Sequence, residues 1–212
     1  MLRKVVAFLI VVCVSLLMDA CSNHPPSAAM FMNSKKNVNF GVGAAARFGE
    51  LSNSTFVYDN SDDAEISSEE GYWNTELSFY YGTPYIVLGL NYEDYTTRLV
   101  LGAKSDYLGL ISWVGFAGKK AALGVMLVEQ NPVSENFKFG LSEHFSMNSY
   151  RVIDDPGCCS MNDVYADSYK ELGVGTYVSY KRVSAEFRLG HDIDSSNNRF
   201  YFMLNYLFAF GK

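Results

Sequence analysis

The sequence predicts an all-β fold, an antiparallel up-and-down transmembrane β-barrel of about ten strands. Three observations carry that prediction. From Val38 to Phe210 apolar residues recur at every second position, the spacing of strands, and no long amphipathic helix interrupts them. The long connections between strands fall only at alternate positions along the chain. The polar face of the strands is rich in glycine and carries few charges, of mixed sign.

Composition sets the outer bounds. The chain has 212 residues, one ordinary domain's worth, and a formal net charge of −6. It is 49% hydrophobic and 15% aromatic but only 19% charged, which excludes disorder over most of its length. No basic stripe appears, so nucleic acid is not an expected partner. No phosphate-cradling glycine loop, nucleophile elbow or helical zinc motif is present, so no cofactor is expected.

Met1, Leu2, Arg3 and Lys4 form a short basic start, and an apolar run follows from Val5 to Met18, interrupted only by Ser15. That run is too short for a spanning helix and predicts a signal peptide over residues 1–20. Ala20 and Cys21 resemble a bacterial lipoprotein signal, in which a small residue precedes a cysteine that is acylated and becomes the new N-terminus. Met18 and Asp19 depart from that pattern, where Leu and a small or neutral residue are usual. The resemblance implies lipidation at Cys21; ordinary cleavage near Ala20 or Ala29 is the alternative. Residues 21–36, with Pro25, Pro26, Ser27 and Ser34, read as a flexible tether, and residues 37–212 as the barrel domain.

The first strand places Val38, Phe40, Val42, Ala44, Ala46 and Phe48 on one face and Asn39, Gly41, Gly43, Ala45 and Arg47 on the other. The last places Phe200, Phe202, Leu204, Tyr206, Phe208 and Phe210 on one face and Tyr201, Met203, Asn205, Leu207 and Ala209 on the other. Between them eight strands are expected at about 71–81, 84–92, 96–104, 107–116, 120–130, 136–150, 168–181 and 183–191. Segment 107–116 is apolar on both faces. Merging two pairs of strands would give eight in all.

The long connections, 49–70, 151–167 and 192–199, are all odd-numbered along the chain. The even-numbered ones, 82–83, 105–106, 131–135 and the turn at Arg182, are short. Alternate connections of an up-and-down barrel share an end, so long loops gather at one end and tight turns at the other. An even strand count then returns both termini to the turn end.

A water-facing surface would be rich in Lys, Glu and Thr. Here the polar face holds Gly41, Gly43, Gly89, Gly102, Gly124, Gly140, Gly173, Gly175 and Gly190. Its charges are Arg47, Glu76, Arg98, Lys104, Lys138, Glu171, Glu186 and Arg188. Small residues and opposite charges suit the interior of a narrow barrel, so the apolar face is expected to meet lipid. That face carries aromatics near strand ends, Trp73, Tyr81, Tyr92, Phe116, Phe137, Tyr180, Phe200 and Phe210, as interfacial girdles would.

The export signal, the alternating strands over residues 38–211 and the aromatic last strand, Arg199 to Phe210, together resemble the small outer-membrane β-barrels of bacteria, the OmpA-like class. The resemblance implies insertion in the outer membrane with outer-membrane lipid as partner, long loops outside and short turns in the periplasm. The last strand departs from the pattern by ending in Gly211 and Lys212, where an aromatic is usual. The likeness is architectural and brings no catalytic residues with it.

Three constellations could carry chemistry. The first long loop holds Glu50, Asp59, Asp62, Asp63, Glu65, Glu69 and Glu70 without Lys or Arg, and the second adds Asp154, Asp155, Asp163 and Asp167 against Arg151. Such an acidic crown could take surface ligands or divalent cations, although it lacks calcium-loop spacing; a solvated loop tip is the plainer reading. Cys158 and Cys159 are adjacent in an exported loop. A vicinal disulfide is expected, with cross-linking to another chain and free thiols as the alternatives. Glu143, His144, Phe145 and Ser146 resemble the His-x-Ser arrangement of outer-membrane lipid A deacylases, but the register puts His144 and Ser146 on the lumen face. His24 and His191 stand apart from any cluster.

The expected role is structural or in surface interaction, through acidic extracellular loops. Two rivals have clear discriminators. A soluble, lipid-anchored barrel with an apolar ligand needs the Phe200–Phe210 stripe to point inward. A lipid A deacylase needs His144 and Ser146 to meet a carboxylate on the lipid side.

Overall fold

The computed structural model describes residues 24–49, 71–93, 96–117, 120–153 and 164–210. Helix α1, Ala28–Asn33, precedes ten strands: β1 Asn37–Phe48, β2 Gly71–Gly82, β3 Ile86–Glu93, β4 Thr96–Lys104, β5 Leu108–Ala117, β6 Lys120–Pro132, β7 Phe137–Ile153, β8 Val164–Tyr180, β9 Val183–Asp192 and β10 Asn198–Phe210. Each strand pairs antiparallel with its neighbours in the chain, and β10 closes on β1, from Val38↔Phe210 to Phe48↔Phe200. Closure leaves no free sheet edge, the condition for strands to cross hydrocarbon. The expected strands are found in order and number. β7 and β8 are longer than expected, 17 residues each, and pair out to Ile153↔Val164 beyond the other strands.

Three of the four tight turns among the described residues share one device. Thr83, Ser105 and Ser134 each accept the amide three residues on, from Ile86, Leu108 and Phe137, at 2.9, 3.0 and 3.1 Å. The hydroxyl adds to a backbone bond that closes the same turn, from the amides of Thr83, Ser105 and Ser134 to the carbonyls of Ile86, Leu108 and Phe137 at 2.8, 2.7 and 3.0 Å. The fourth turn is the two-residue link at Lys181, whose φ of 56° has the positive sign that suits tight hairpins.

The strands are tilted. One row of residues paired across the strands starts at Phe48 beside the long loops and runs through Phe200, Leu189, Val174, Glu143, Leu127, Leu110 and Ala103 to Ile86 beside the tight turns. It spans the height of the wall, and every member faces outward.

The apolar face is the outside. Leu88, Leu90, Leu99, Leu101, Leu141, Val178 and Phe187 are exposed there, and so is the stripe Phe200, Phe202, Leu204, Tyr206 and Phe210. Tyr201, Met203 and Asn205 alternate with that stripe and are buried inside. The soluble-barrel rival, which needed the stripe inward, is therefore corrected. An apolar exterior this continuous is the surface of a membrane-spanning barrel. Tyr81, Phe137, Tyr180 and Phe210 ring the turn end and Phe116 and Phe200 the loop end, all exposed; the Trp73 side chain lies outside the described residues. Segment 107–116 resolves by parity: Leu108, Leu110 and Val114 face out, while Ile111 and Trp113 face in.

Candidate functional site

The lumen is the site, and it is occupied by the chain itself. Residues 24–34, expected as part of a flexible tether, run through the barrel, with Ala28, Ala29, Met30, Phe31 and Met32 all buried. The tether expectation is corrected for this stretch. The physical reason lies in its composition: the segment is apolar or uncharged from His24 to Ser34, and burying side chains such as Met30, Phe31 and Met32 contributes about 1.5–3 kcal/mol each. The wall is shaped to receive them. A Cβ at Gly41 would overlap Met30 Sδ, one at Gly102 the Phe31 ring, and one at Gly109 Met32 Sδ. All nine glycines expected inside do face the lumen. Tyr80 meets Phe31 edge-on, with ring centroids 6.4 Å apart.

Polar groups on the wall take the backbone of the plug. Ser27 caps α1, its hydroxyl oxygen accepting from Met30 N at 3.0 Å. That hydroxyl donates to Glu186 Oε1, and Glu186 also accepts from the amides of Ala28 and Ala29 at 3.1 and 3.2 Å and from Asn205 Nδ2 at 3.0 Å. A carboxylate suits the free N–H groups of a helix start. At the other end Lys104 Nζ donates to the carbonyls of Phe31 and Met32, each at 2.9 Å, and to that of Ser34. Before the helix, Arg188 donates to the carbonyls of Pro25 and Pro26 at 2.7 and 2.8 Å and to Glu186 at 2.8 Å. Arg98 donates to the carbonyl of His24 and to Glu93, whose carboxylate accepts from His24 N at 3.2 Å. His24 Nε2 lies 3.0 Å from the same carboxylate. Glu93, Arg98, Glu186 and Arg188 thus each meet an opposite charge, and Lys104 meets a row of backbone carbonyls.

A second cluster lies nearer the loop end. Glu171 is 2.9 Å from His144 Nε2 and accepts from Tyr201 Oη at 2.6 Å. Arg199 donates to Asp192 at 2.7 Å and lies 3.9 Å above the Tyr169 ring. The ring of His24 packs edge-on to Tyr201, 6.1 Å between centroids, and links this cluster to the plug.

His144 and Ser146 are buried in the lumen, as the register predicts. The carboxylate beside His144 is Glu171, on the inside, and the Ser146 hydroxyl has no hydrogen-bond partner among the described residues. A deacylase constellation on the lipid side is not formed, which corrects that rival. His191 faces outward, its Nδ1 3.0 Å from Asn198 Oδ1. Glu143 is also exposed on the outside, at the midpoint of the tilted row described above. It forms no ion pair or hydrogen bond among the described residues. An apolar groove of about 720 Å³, walled by Leu127, Phe145, Val174 and Leu189, passes Glu143 and reaches His191.

Cys21, Cys158 and Cys159 lie outside the described residues, as do the acidic residues from Glu50 to Glu70, Asp154, Asp155 and Asp163. The side chains of Arg151 and Asp167 lie outside them too. His24, expected to stand apart from any cluster, joins Glu93 and Arg98, and three charged luminal residues escaped the sequence reading: Glu93, Asp192 and Arg199. Glu93 shares parity with Gly89 and Asn91, and Arg199 with Tyr201, so the alternation itself could have found both had the strands been extended by one residue.

No family model matches the chain, and no curated protein matches its sequence. Among solved structures it is similar to neisserial surface protein A, with 17% identity and a TM-score of 0.43 over 81% of this chain and 97% of that one. It is also similar to the N-terminal β-barrel domain of Pseudomonas aeruginosa OprF, with 7% identity and a TM-score of 0.37 over 82% and 100%. A third is Ail, the attachment invasion locus protein of Yersinia pestis, solved with the heparin analogue sucrose octasulfate, with 10% identity and a TM-score of 0.33 over 81% and 99%.

Proposed function

We propose that this chain is an outer-membrane β-barrel sealed by its own N-terminal segment, with a structural and surface-interaction role carried by its acidic loops. The observation that supports this most is the pairing of an apolar exterior with a lumen filled by residues 24–34. A filled lumen opposes an open pore, and an apolar wall fixes the strands in lipid. Function then falls to the loops, the part of a membrane barrel free to contact partners. Their carboxylates suit divalent cations or basic surface ligands.

Gel mobility of the detergent-extracted protein, boiled against unboiled in mild SDS, tests the barrel. A heat-dependent shift is expected. Equal mobility, with the protein released from membranes without detergent, would contradict it. Calorimetry of the folded protein with millimolar calcium tests the cation reading of the loops, which a flat titration removes.

A further inference from the structure

The direction in which the plug runs has a topological consequence. His24 contacts Glu93, the last residue of β3, and Arg98, near the start of β4; both flank a connection at the loop end. Ser34 is held by Lys104, the last residue of β4, beside a tight turn. Lys35 N donates to Asn39 Oδ1 at 3.0 Å, and a Cβ on Gly82, which ends β2 at the same turn end, would meet the Lys35 carbonyl at 2.8 Å. Asn37, at φ 79°, then reverses the chain into β1. The segment therefore enters at the loop end and leaves at the turn end. Its contour, one short helix and a few extended residues, is roughly 25 Å, the height of a lipid-facing belt.

We propose that the N-terminal segment threads the lumen from the loop side, so that the exported chain's N-terminus, with Cys21, is delivered on the same side of the membrane as the long loops. This rests on the membrane-barrel reading above. The two ends of the barrel, Asn37 and Phe210, do lie at the turn end as the sequence predicts, and the proposal departs from that expectation only for the chain before the plug. Chain length decides the matter: Cys21 precedes His24 by three residues, a reach of at most ~10 Å, whereas the turn end is about 25 Å away through a lumen already filled. An acyl group on Cys21 would then be offered to the leaflet on the loop side. With the turns in the periplasm, that side is the cell surface. A lipid anchor on Cys21 would accordingly belong to the outer leaflet.

The test uses the full-length precursor, expressed and exported, with Cys158→Ser and Cys159→Ser as background. Asn23→Cys reports the chain just before His24, and Asn136→Cys reports a tight turn. Intact cells are treated with a membrane-impermeant maleimide, and the labelled peptide is identified by mass spectrometry. The expected result is labelling at position 23 in intact cells and at position 136 only after permeabilisation. Labelling of position 23 only after permeabilisation, together with 136, overturns the proposal. The same variants are run boiled and unboiled. A retained heat shift with position 23 protected means that threading has failed but the barrel stands; a lost shift means that the membrane reading itself has failed. Should Asn23→Cys disturb export, Ser22→Cys is read in the same way.

Discussion

The hydroxyl of Ser27 donates to Glu186 Oε1, joining residues 159 positions apart in the chain. This contact ties the first turn of the luminal helix to the middle of β9. Around it Glu186 gathers two plug amides, Asn205 and Arg188, so one carboxylate is the pivot of the seal.

Glu186→Ala removes that pivot and leaves Arg188 buried without its carboxylate. Breaking a buried pair of this kind costs about 3–5 kcal/mol. The expected outcome in detergent is a lower denaturant midpoint and faster proteolysis within residues 24–34, with the strands still folded. An unchanged midpoint would show that the plug is held without Glu186.

Steric fit gives a second prediction. Gly102→Val puts side-chain atoms where the Phe31 ring lies. Overpacking typically costs 1–3 kcal/mol, on the order of what this site would feel. Phe31→Ala on its own also destabilises, through lost burial, but in the Gly102→Val background it should recover part of the loss. A thermodynamic cycle measures the coupling. Strict additivity would mean that the two positions do not touch.

Glu143 yields a prediction of opposite sign. It faces lipid midway along the row from Phe48 to Ile86, flanked by Leu127 and Val174. A carboxylate there is less costly than a basic residue, which costs about 2–4 kcal/mol at the bilayer midplane. Glu143→Leu should therefore raise stability in phospholipid bilayers by roughly 1 kcal/mol, and Glu143→Lys should lower it by about 2–4 kcal/mol. A destabilised Glu143→Leu would mean that the carboxylate has a stabilising partner in the membrane.

The adjacent thiols Cys158 and Cys159 are expected to be oxidised together in the exported protein. Alkylation and intact-mass measurement before and after reduction count them. Two alkylated thiols in the native form would contradict the vicinal disulfide.

The barrel was legible because its rule is local. Lipid outside and a crowded lumen inside force alternation on every strand, and the alternation of Phe200 to Phe210 is visible without any tertiary knowledge. Loop parity added the closure. The plug was hidden because Pro25, Pro26 and Ser27 also mark a linker, and six residues of helix are too few for a periodic signal. One clue stood in plain view: Met30-Phe31-Met32 is an apolar run that a solvated tether does not need. The lengths of β7 and β8 were missed because polar residues such as Ser149 and Asp167 end the apolar alternation while backbone pairing continues.

Hydrogen exchange of the full chain in lipid nanodiscs, followed by mass spectrometry of peptides covering residues 24–34, tests the sealed barrel most directly. The amides of Ala28, Ala29, Met30 and Phe31 are all bonded inside the lumen. They should exchange as slowly as the strand amides of β1 and β10, over minutes to hours. Exchange within seconds, at the rate of an unstructured tether, would contradict a barrel closed by its own N-terminal segment.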